Sequence, residues 1–386
     1  MSISRFSFPV PIIFGPGSIQ VIPEEINTLN LTKPLIITDP AMTKTAAFQT
    51  ILRTLEDKHL SYRIFSDIRP NPHDTDIEGG VKVYNSSGCD LIIGAGGGSA
   101  MDAAKALAVL IGEGGRIEDY DSQSSNKKEI QGPLPKIILI PTTSGTGSEV
   151  GKCSVINSTS QGRKIFLCHP LMLPSLSVLD PELTVSLPPD LTAATGMDAL
   201  THNIESLTAP IFHPICDGIA VKGIQLIIRN LENAVRNPDD IEARGNMMLA
   251  AVMGGIAFQK DLGAAHSLSH ALSAVCDIQH GLANAIVLPA VMDFNKEVSK
   301  QEYSAIAMEF GINIFNLSPL ESAEQAIYEI KSLNERIGIP SSLREAGVSA
   351  DQVDEISRIA FLDPCHTTNS RRCTRDNLRT LLKESM

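Results

Sequence analysis

A chain of 386 residues, 43 % of them hydrophobic, has apolar content for two cores rather than one. Its formal net charge of -12 disfavours nucleic acid and anionic membrane surfaces as partners, and no apolar run reaches about 18 residues, so small molecules or proteins are expected instead. Seven scattered cysteines without a C-x-x-C pair argue against a disulfide framework or a cysteine zinc site and for plain buried thiols, and the absence of Trp argues against stacking surfaces for carbohydrate or single strands.

The opening MSISRFSFPVPIIFGPGS has no basic segment leading into a long apolar one, so the expected compartment is the cytoplasm. Four short β-branched runs follow: PLIIT (34–38), YRIF (62–65), DLIIGAGGG (90–98) and KIILIPTTS (136–144). Segments around 41–58, 74–87 and 99–111 carry apolar residues at helical spacing. This alternation predicts a parallel sheet covered by helices, a nucleotide-binding type of architecture.

Asp39 ends the first run. There a carboxylate can accept hydrogen bonds from a ribose 2'-hydroxyl and repel a 2'-phosphate, favouring NAD over NADP, or it can cap the helix beginning near Ala41. In GAGGGSAMDAAKA (94–106) a buried strand passes through Gly96, Gly97 and Gly98 into a helix whose first turn holds Ser99 and Asp102. Glycines let backbone N–H groups approach phosphate oxygens, and the helix N-terminus adds positive potential. The register is not G-x-G-x-x-G, which leaves a plain strand-to-helix turn as the competing reading. PTTSGTGSEV (141–150) offers Thr142, Thr143 and Ser144 to phosphates or a nicotinamide carboxamide, or serves as a polar capping loop.

From 152 to 180 the text shortens to pieces that read as a hairpin and a last strand. After SLPPD (186–190), Ala, Leu, Met and Glu dominate to the C-terminus, interrupted by NPDD (237–240) and GIP (338–340). The expected organisation is an α/β dinucleotide-binding domain with a Rossmann-like parallel sheet over 1–182 and an all-α domain over 183–386.

In the helical part, TGMDALTHNIE (195–205) puts Asp198 and His202 four apart on one helix face. GAAHSLSHALSAVCDIQHGLANA (263–285) puts His266 and His270 four apart and adds His280 after a break at Cys276 and Asp277. Neutral imidazoles buried together must find several partners, and a shared metal supplies them. Four of these five groups could close on one ion; spacing does not choose between His266 and His270, and imidazole with one carboxylate suits Fe, Zn, Co, Ni or Mn.

With these stretches, IIFGPGSI (12–19) and VLDPEL (178–183) in view, the chain resembles the iron-containing (group III) alcohol dehydrogenases over essentially its whole length. The resemblance implies a cleft holding NAD, with NADP as the alternative, and a divalent metal, Fe(II) or alternatively Zn(II). It implies hydride transfer between the nicotinamide and a small alcohol or aldehyde, and a homodimer or higher homo-oligomer. It assigns the ligands to Asp198, His202, His266 and His280, and leaves His270 as a proton relay. It places Asp39 and Leu179 near the adenosine, Gly96, Gly97, Gly98, Ser99 and Asp102 at the diphosphate, Thr142, Thr143 and Ser144 toward phosphates and nicotinamide, and Lys164 near the nicotinamide ribose. Polyol dehydrogenases or specialised carbonyl reductases of the same superfamily, and a dehydroquinate-synthase-like lyase, are the alternatives.

The chain departs from the family pattern in VGKCSV after Glu149, in Lys260 and Asp261 ahead of His266, and in Ser370, Arg371 and Arg372 near the end. The last two clusters either favour an anionic or polar aldehyde or face solvent.

Overall fold

The computed structural model describes residues 10–386; the stretch MSISRFSFP, on which the reading of compartment partly rests, lies outside them. Two compact units divide the chain, one containing the described residues up to 143 together with Gly147–Leu187, the other containing Ser144–Thr146 and Pro188–Met386.

The first unit runs β1 (Ile12–Phe14), α1 (Ile22–Thr28), β2 (Pro34–Ile37), α2 (Ala46–Glu56), β3 (Arg63–Phe65), α3 (Asp74–Ser87), β4 (Leu91–Gly96), α4 (Gly98–Glu113), β5 (Lys136–Pro141), β6 (Cys153–Ser158), β7 (Arg163–Cys168) and β8 (Leu176–Leu179). Six strands form a parallel sheet in the order β1-β8-β5-β4-β2-β3. Alternate side chains feed two cores. Leu35, Ile37, Ile92, Ile137 and Leu139 pack in the cluster that includes residues of α3 and α4, while Ile36, Leu91, Ile93, Ile138 and Ile140 pack with residues of α1 and α2.

The chain goes from β2 outward to β3, then returns across β2 to β4 and continues the other way. That reversal makes the carboxyl ends of β2 and β4 a topological switch point, where open α/β sheets bind ligands. Asp39 follows β2 and Gly97 follows β4, so both lie there.

β6 and β7 form the antiparallel hairpin, with Cys153 opposite Cys168. Those two thiols are joined in a disulfide, which corrects the expectation of plain buried thiols; Cys276 and Cys365 are only partly buried. Fifteen residues separate the pair, and only strand register reveals that they face one another.

The second unit holds α5 (Pro189–Thr208), α6 (Pro214–Arg236), α7 (Ile241–Ala257), α8 (Ala264–Cys276), α9 (His280–Asn295), α10 (Lys300–Glu309), α11 (Pro319–Arg336), α12 (Val353–Leu362) and α13 (Arg375–Glu384). Helix α5 is buried on nearly all sides from Thr192 to Leu207. Gly281 lets the start of α9 cross α5 backbone to backbone, because a Cβ there would stand 2.3 Å from the Ala194 carbonyl oxygen. Asp277 takes a left-handed conformation (φ 55°) and closes α8, turning the chain so that α9 begins at His280. No helix among the described residues is long and apolar enough to cross a membrane.

Candidate metal centre and dinucleotide loop

Helix α5 presents Asp198, His202 and Glu205 at intervals of four and three, hence on one face. Asp198 Oδ1 is the hub. It lies 3.8 Å from His202 Nδ1, 3.9 Å from His266 Nε2 and 3.4 Å from His280 Nε2. Ligand atoms about 2.1 Å from a tetrahedral ion stand about 3.4 Å apart; Asp198, His202 and His266 bring ligand atoms within 4.8 Å of one another, a group that could hold one cation, and His280 adjoins it through Asp198.

The donor chemistry fits as well. His202 Nδ1 is buried without a hydrogen-bond partner, an orphan that a cation would satisfy. Burial, with His202 and His270 adding to it, holds His266 well below its ordinary pKa, which keeps it the neutral imidazole that metals bind. Burial also pushes the Asp198 carboxyl up, against the pull of His202 and Asn284. A buried carboxyl facing three imidazoles is relieved by a divalent ion.

Three neighbours that the sequence reading did not single out orient these groups. Glu205 is fully buried, and its Oε2 lies 2.6 Å from His266 Nδ1. The Asn284 amide nitrogen donates to Asp198 Oδ1 at 2.9 Å. Ser269 Oγ lies 3.0 Å from His280 Nδ1. Glu205 and Asn284 carried a local signal, since each sits a helical turn beyond a quoted histidine on the same face.

His270 is arranged differently. Its ring stacks on His280 with centroids 5.1 Å apart, and its Nδ1 lies 2.8 Å from Asp363 Oδ2. Asp363 Oδ1 accepts from Ser267 Oγ and from the Cys365 backbone N–H, each at 2.9 Å. Burial pushes this carboxyl up, but His270 and those donors together hold it well below the usual carboxylate range. Nothing local in the sequence marks Asp363.

The two departures near this unit resolve separately. Lys260 is buried and bonded to Asp217 Oδ1 and the Leu207 carbonyl, so it serves packing rather than a polar pocket wall. Arg371 and Arg372 are exposed, with Arg371 lying over the Phe294 ring at 4.2 Å, and Ser370 accepts a bond from Ser299 Oγ.

On the first unit, Asp39 Oδ1 accepts from the backbone N–H groups of Ala41 and Met42, both at 2.9 Å, so it does cap the chain there. Gly96 has φ +144°, and a Cβ on it would lie 3.1 Å from Ala100 Cβ, 3.7 Å from Asp39 Oδ2 and 3.8 Å from Thr38 Oγ1. The missing side chain leaves a cradle beside a carboxylate oxygen and the buried, unpartnered hydroxyl of Thr38, a setting that fits a polar ligand reaching the α4 N-terminus. Gly97 precedes α4, Gly98 begins it, and Thr143 lies 3.6 Å from where a Gly97 Cβ would stand. Thr142 N–H donates to the Gly96 carbonyl. Ser99 Oγ bonds the Pro70 carbonyl.

Asp102 belongs to a buried hub. It accepts from Ser148 Oγ at 2.6 Å and from Val155 N–H at 2.9 Å, and lies 3.4 Å from Lys105 Nζ. Lys105 is wholly buried and donates to the carbonyls of Ser148, Gly151 and Cys153. The turn 148–153 is thereby clamped to α4. Lys164 sits on β7 opposite Asn157, Leu179 ends β8 fully buried, and Ser144, also buried, belongs to the second unit.

Comparison with known proteins agrees along the chain. Residues 9–181 match the model of iron-containing alcohol dehydrogenase, and residues 192–386 match that of the Fe-containing alcohol dehydrogenase family, C-terminal. The NAD-dependent methanol dehydrogenase of Bacillus methanolicus is 34 % identical over 99 % of this chain and 100 % of its own. The 1,3-propanediol dehydrogenase of Klebsiella pneumoniae is 35 % identical over 100 % of both. A crystal structure of 1,3-propanediol oxidoreductase superposes with a TM-score of 0.95 at 34 % identity, covering 99 % of this chain and 100 % of the other.

Proposed function

The chain belongs to the iron-containing alcohol dehydrogenase family, and from that premise we propose which of its residues carry the reaction. It is an NAD(H)- and metal-dependent oxidoreductase acting on a small alcohol or aldehyde. Asp198, His202, His266 and His280 hold the ion, Fe(II) by family. The observation carrying this is the convergence of three imidazoles on one buried carboxylate oxygen.

A divalent ion held by these residues would supply Lewis-acid polarisation of a substrate oxygen, and a bound nicotinamide would supply the hydride chemistry. Asp198 offsets part of the ion's charge, and the Asn284 amide keeps its carboxylate turned inward. His270, its Nδ1 held 2.8 Å from Asp363 Oδ2, takes the hydroxyl proton during oxidation and returns one during reduction. Gly96, Gly97, Gly98 and Ser99 bind the cofactor diphosphate at the α4 N-terminus, with Asp102 bracing that helix. Asp39 and Leu179 serve the adenosine side, Thr142, Thr143 and Ser144 the phosphates and nicotinamide, and Lys164 the nicotinamide ribose. We further read the protein as a cytoplasmic homodimer organised as domains 1–182 and 183–386. The dimer is supported by edge strand β1, which pairs only with β8 among the described residues and exposes Phe14.

The test is NADH oxidation by chelator-stripped protein across short, hydroxylated and anionic aldehydes, with Fe(II) or Zn(II) restored. Return of activity with metal is expected. Substrate turnover without net NADH change would favour the lyase chemistry of the same superfamily instead.

A further inference from the structure

We infer that Glu205 is a positioning residue that sets the His266 tautomer and so makes Nε2 a metal-binding nitrogen, an inference that rests on His266 being a ligand. Glu205 does two jobs from one buried position. Its carboxylate closes the N-terminus of α8, accepting from the N–H groups of Gly263 at 2.9 Å, Ala265 at 2.7 Å and His266 at 3.4 Å. The Ala264 N–H goes to Asn369 Oδ1 at 3.2 Å, so these first amides are paired by two side chains. The same Oε2 that meets two of those amides lies 2.6 Å from His266 Nδ1.

A Glu205 carboxylate oxygen that already accepts from two N–H groups meets Nδ1 as an acceptor, and the Asn284 amide nitrogen, a donor, lies 3.3 Å from Nε2. The ring proton therefore resides on Nδ1, and Nε2, 3.9 Å from Asp198 Oδ1, carries the lone pair. Helix capping and ligand orientation are thus one interaction. Because Glu205 and Asp198 share α5, that helix fixes both the ligand it carries and the nitrogen that α8 presents.

Glu205→Gln separates the two jobs. With its amide oxygen toward Nδ1 and its NH2 toward the Ala265 N–H, Gln loses one cap bond and replaces an anionic acceptor by a neutral one, so the Nδ1–H is held less firmly and Nε2 becomes a weaker ligand. The measurement is Zn(II) affinity by competition with a chromophoric chelator, on wild type, Glu205→Gln and His266→Ala, with ring nitrogen shifts of histidine-labelled apo wild type. Expected are about 10- to 100-fold weaker Zn(II) binding in folded Glu205→Gln and an Nδ1–H signature for His266, assigned by its loss in His266→Ala. A role confined to capping would lower thermal stability and leave affinity unchanged, which overturns the inference. So does an Nε2–H signature in wild type, a result that stands even where the Gln variant fails to fold. If His266→Ala binds Zn(II) as tightly as wild type, the ligand assignment itself falls; if it loses Zn(II) while folded Glu205→Gln does not, only the role of Glu205 falls.

Discussion

Asp363 Oδ2 lies 2.8 Å from His270 Nδ1 although 93 residues separate the two in sequence. The carboxylate is held from its other side by Ser267 and the Cys365 amide, so it cannot follow the ring if the ring turns. Asp363→Asn keeps the shape and removes the charge that steadies the imidazole. We expect kcat to fall about 100-fold, with KM within a few-fold and metal content unchanged, checked by steady-state kinetics and elemental analysis. An unchanged kcat would show that the Asp363 charge does not support the proton step.

Removing a ligand is expected to act through the ion. Asp198→Ala and His280→Ala should each weaken metal binding by more than about 100-fold and lose turnover in proportion. Full activity in protein shown to be metal-free would exclude the Lewis-acid role.

Asp39 combines a cap with a charge, and two variants separate them. Asp39→Asn keeps an oxygen for the Ala41 and Met42 amides, while Asp39→Gly keeps neither. If the charge selects against a 2'-phosphate, both variants should raise NADPH over NADH preference about tenfold or more, and only Asp39→Gly should also lower the melting temperature. Equal preference in all three proteins would leave Asp39 as a cap alone.

Lys105 brings an ammonium into a fully buried site to serve three carbonyls. Lys105→Met leaves those oxygens and Asp102 without it, which should cost about 2–4 kcal/mol, seen as a lower urea midpoint. The turn 148–153 should loosen with it, and amide exchange there should quicken.

Glu149 gives a pH signature. It is fully buried, and burial pushes its carboxyl from the ordinary 4.5 up to about 7, against the pull of its own backbone N–H and of Lys105. A carboxyl raised on folding holds its proton in the native state while the unfolded chain has released it, so stability declines from about pH 4.5 to 7 and the cost is complete above that range. Glu149→Gln should recover up to about 3 kcal/mol at pH 8 and less at pH 5.5, compared by urea unfolding at the two values. A gain independent of pH would show that the carboxyl is not the cause.

Much of this molecule is written in local pattern. Runs such as PLIIT and DLIIG alternate side chains to two faces, and the spacing of Asp198 with His202 follows from one helical turn, so strands, helices and the face of α5 could be read without coordinates. The hairpin and the all-helical remainder were legible for the same reason. What required the tertiary structure are relations between segments far apart in the chain. β8 inserts between β1 and β5, Cys153 meets Cys168 through strand register, Lys260 turns to Asp217, and Glu205 and Asp363 reach His266 and His270. Periodicity reports which face of an element is apolar, whereas a buried acid finds its imidazole only after helices have packed, because the close approach that excludes water also chooses the partner.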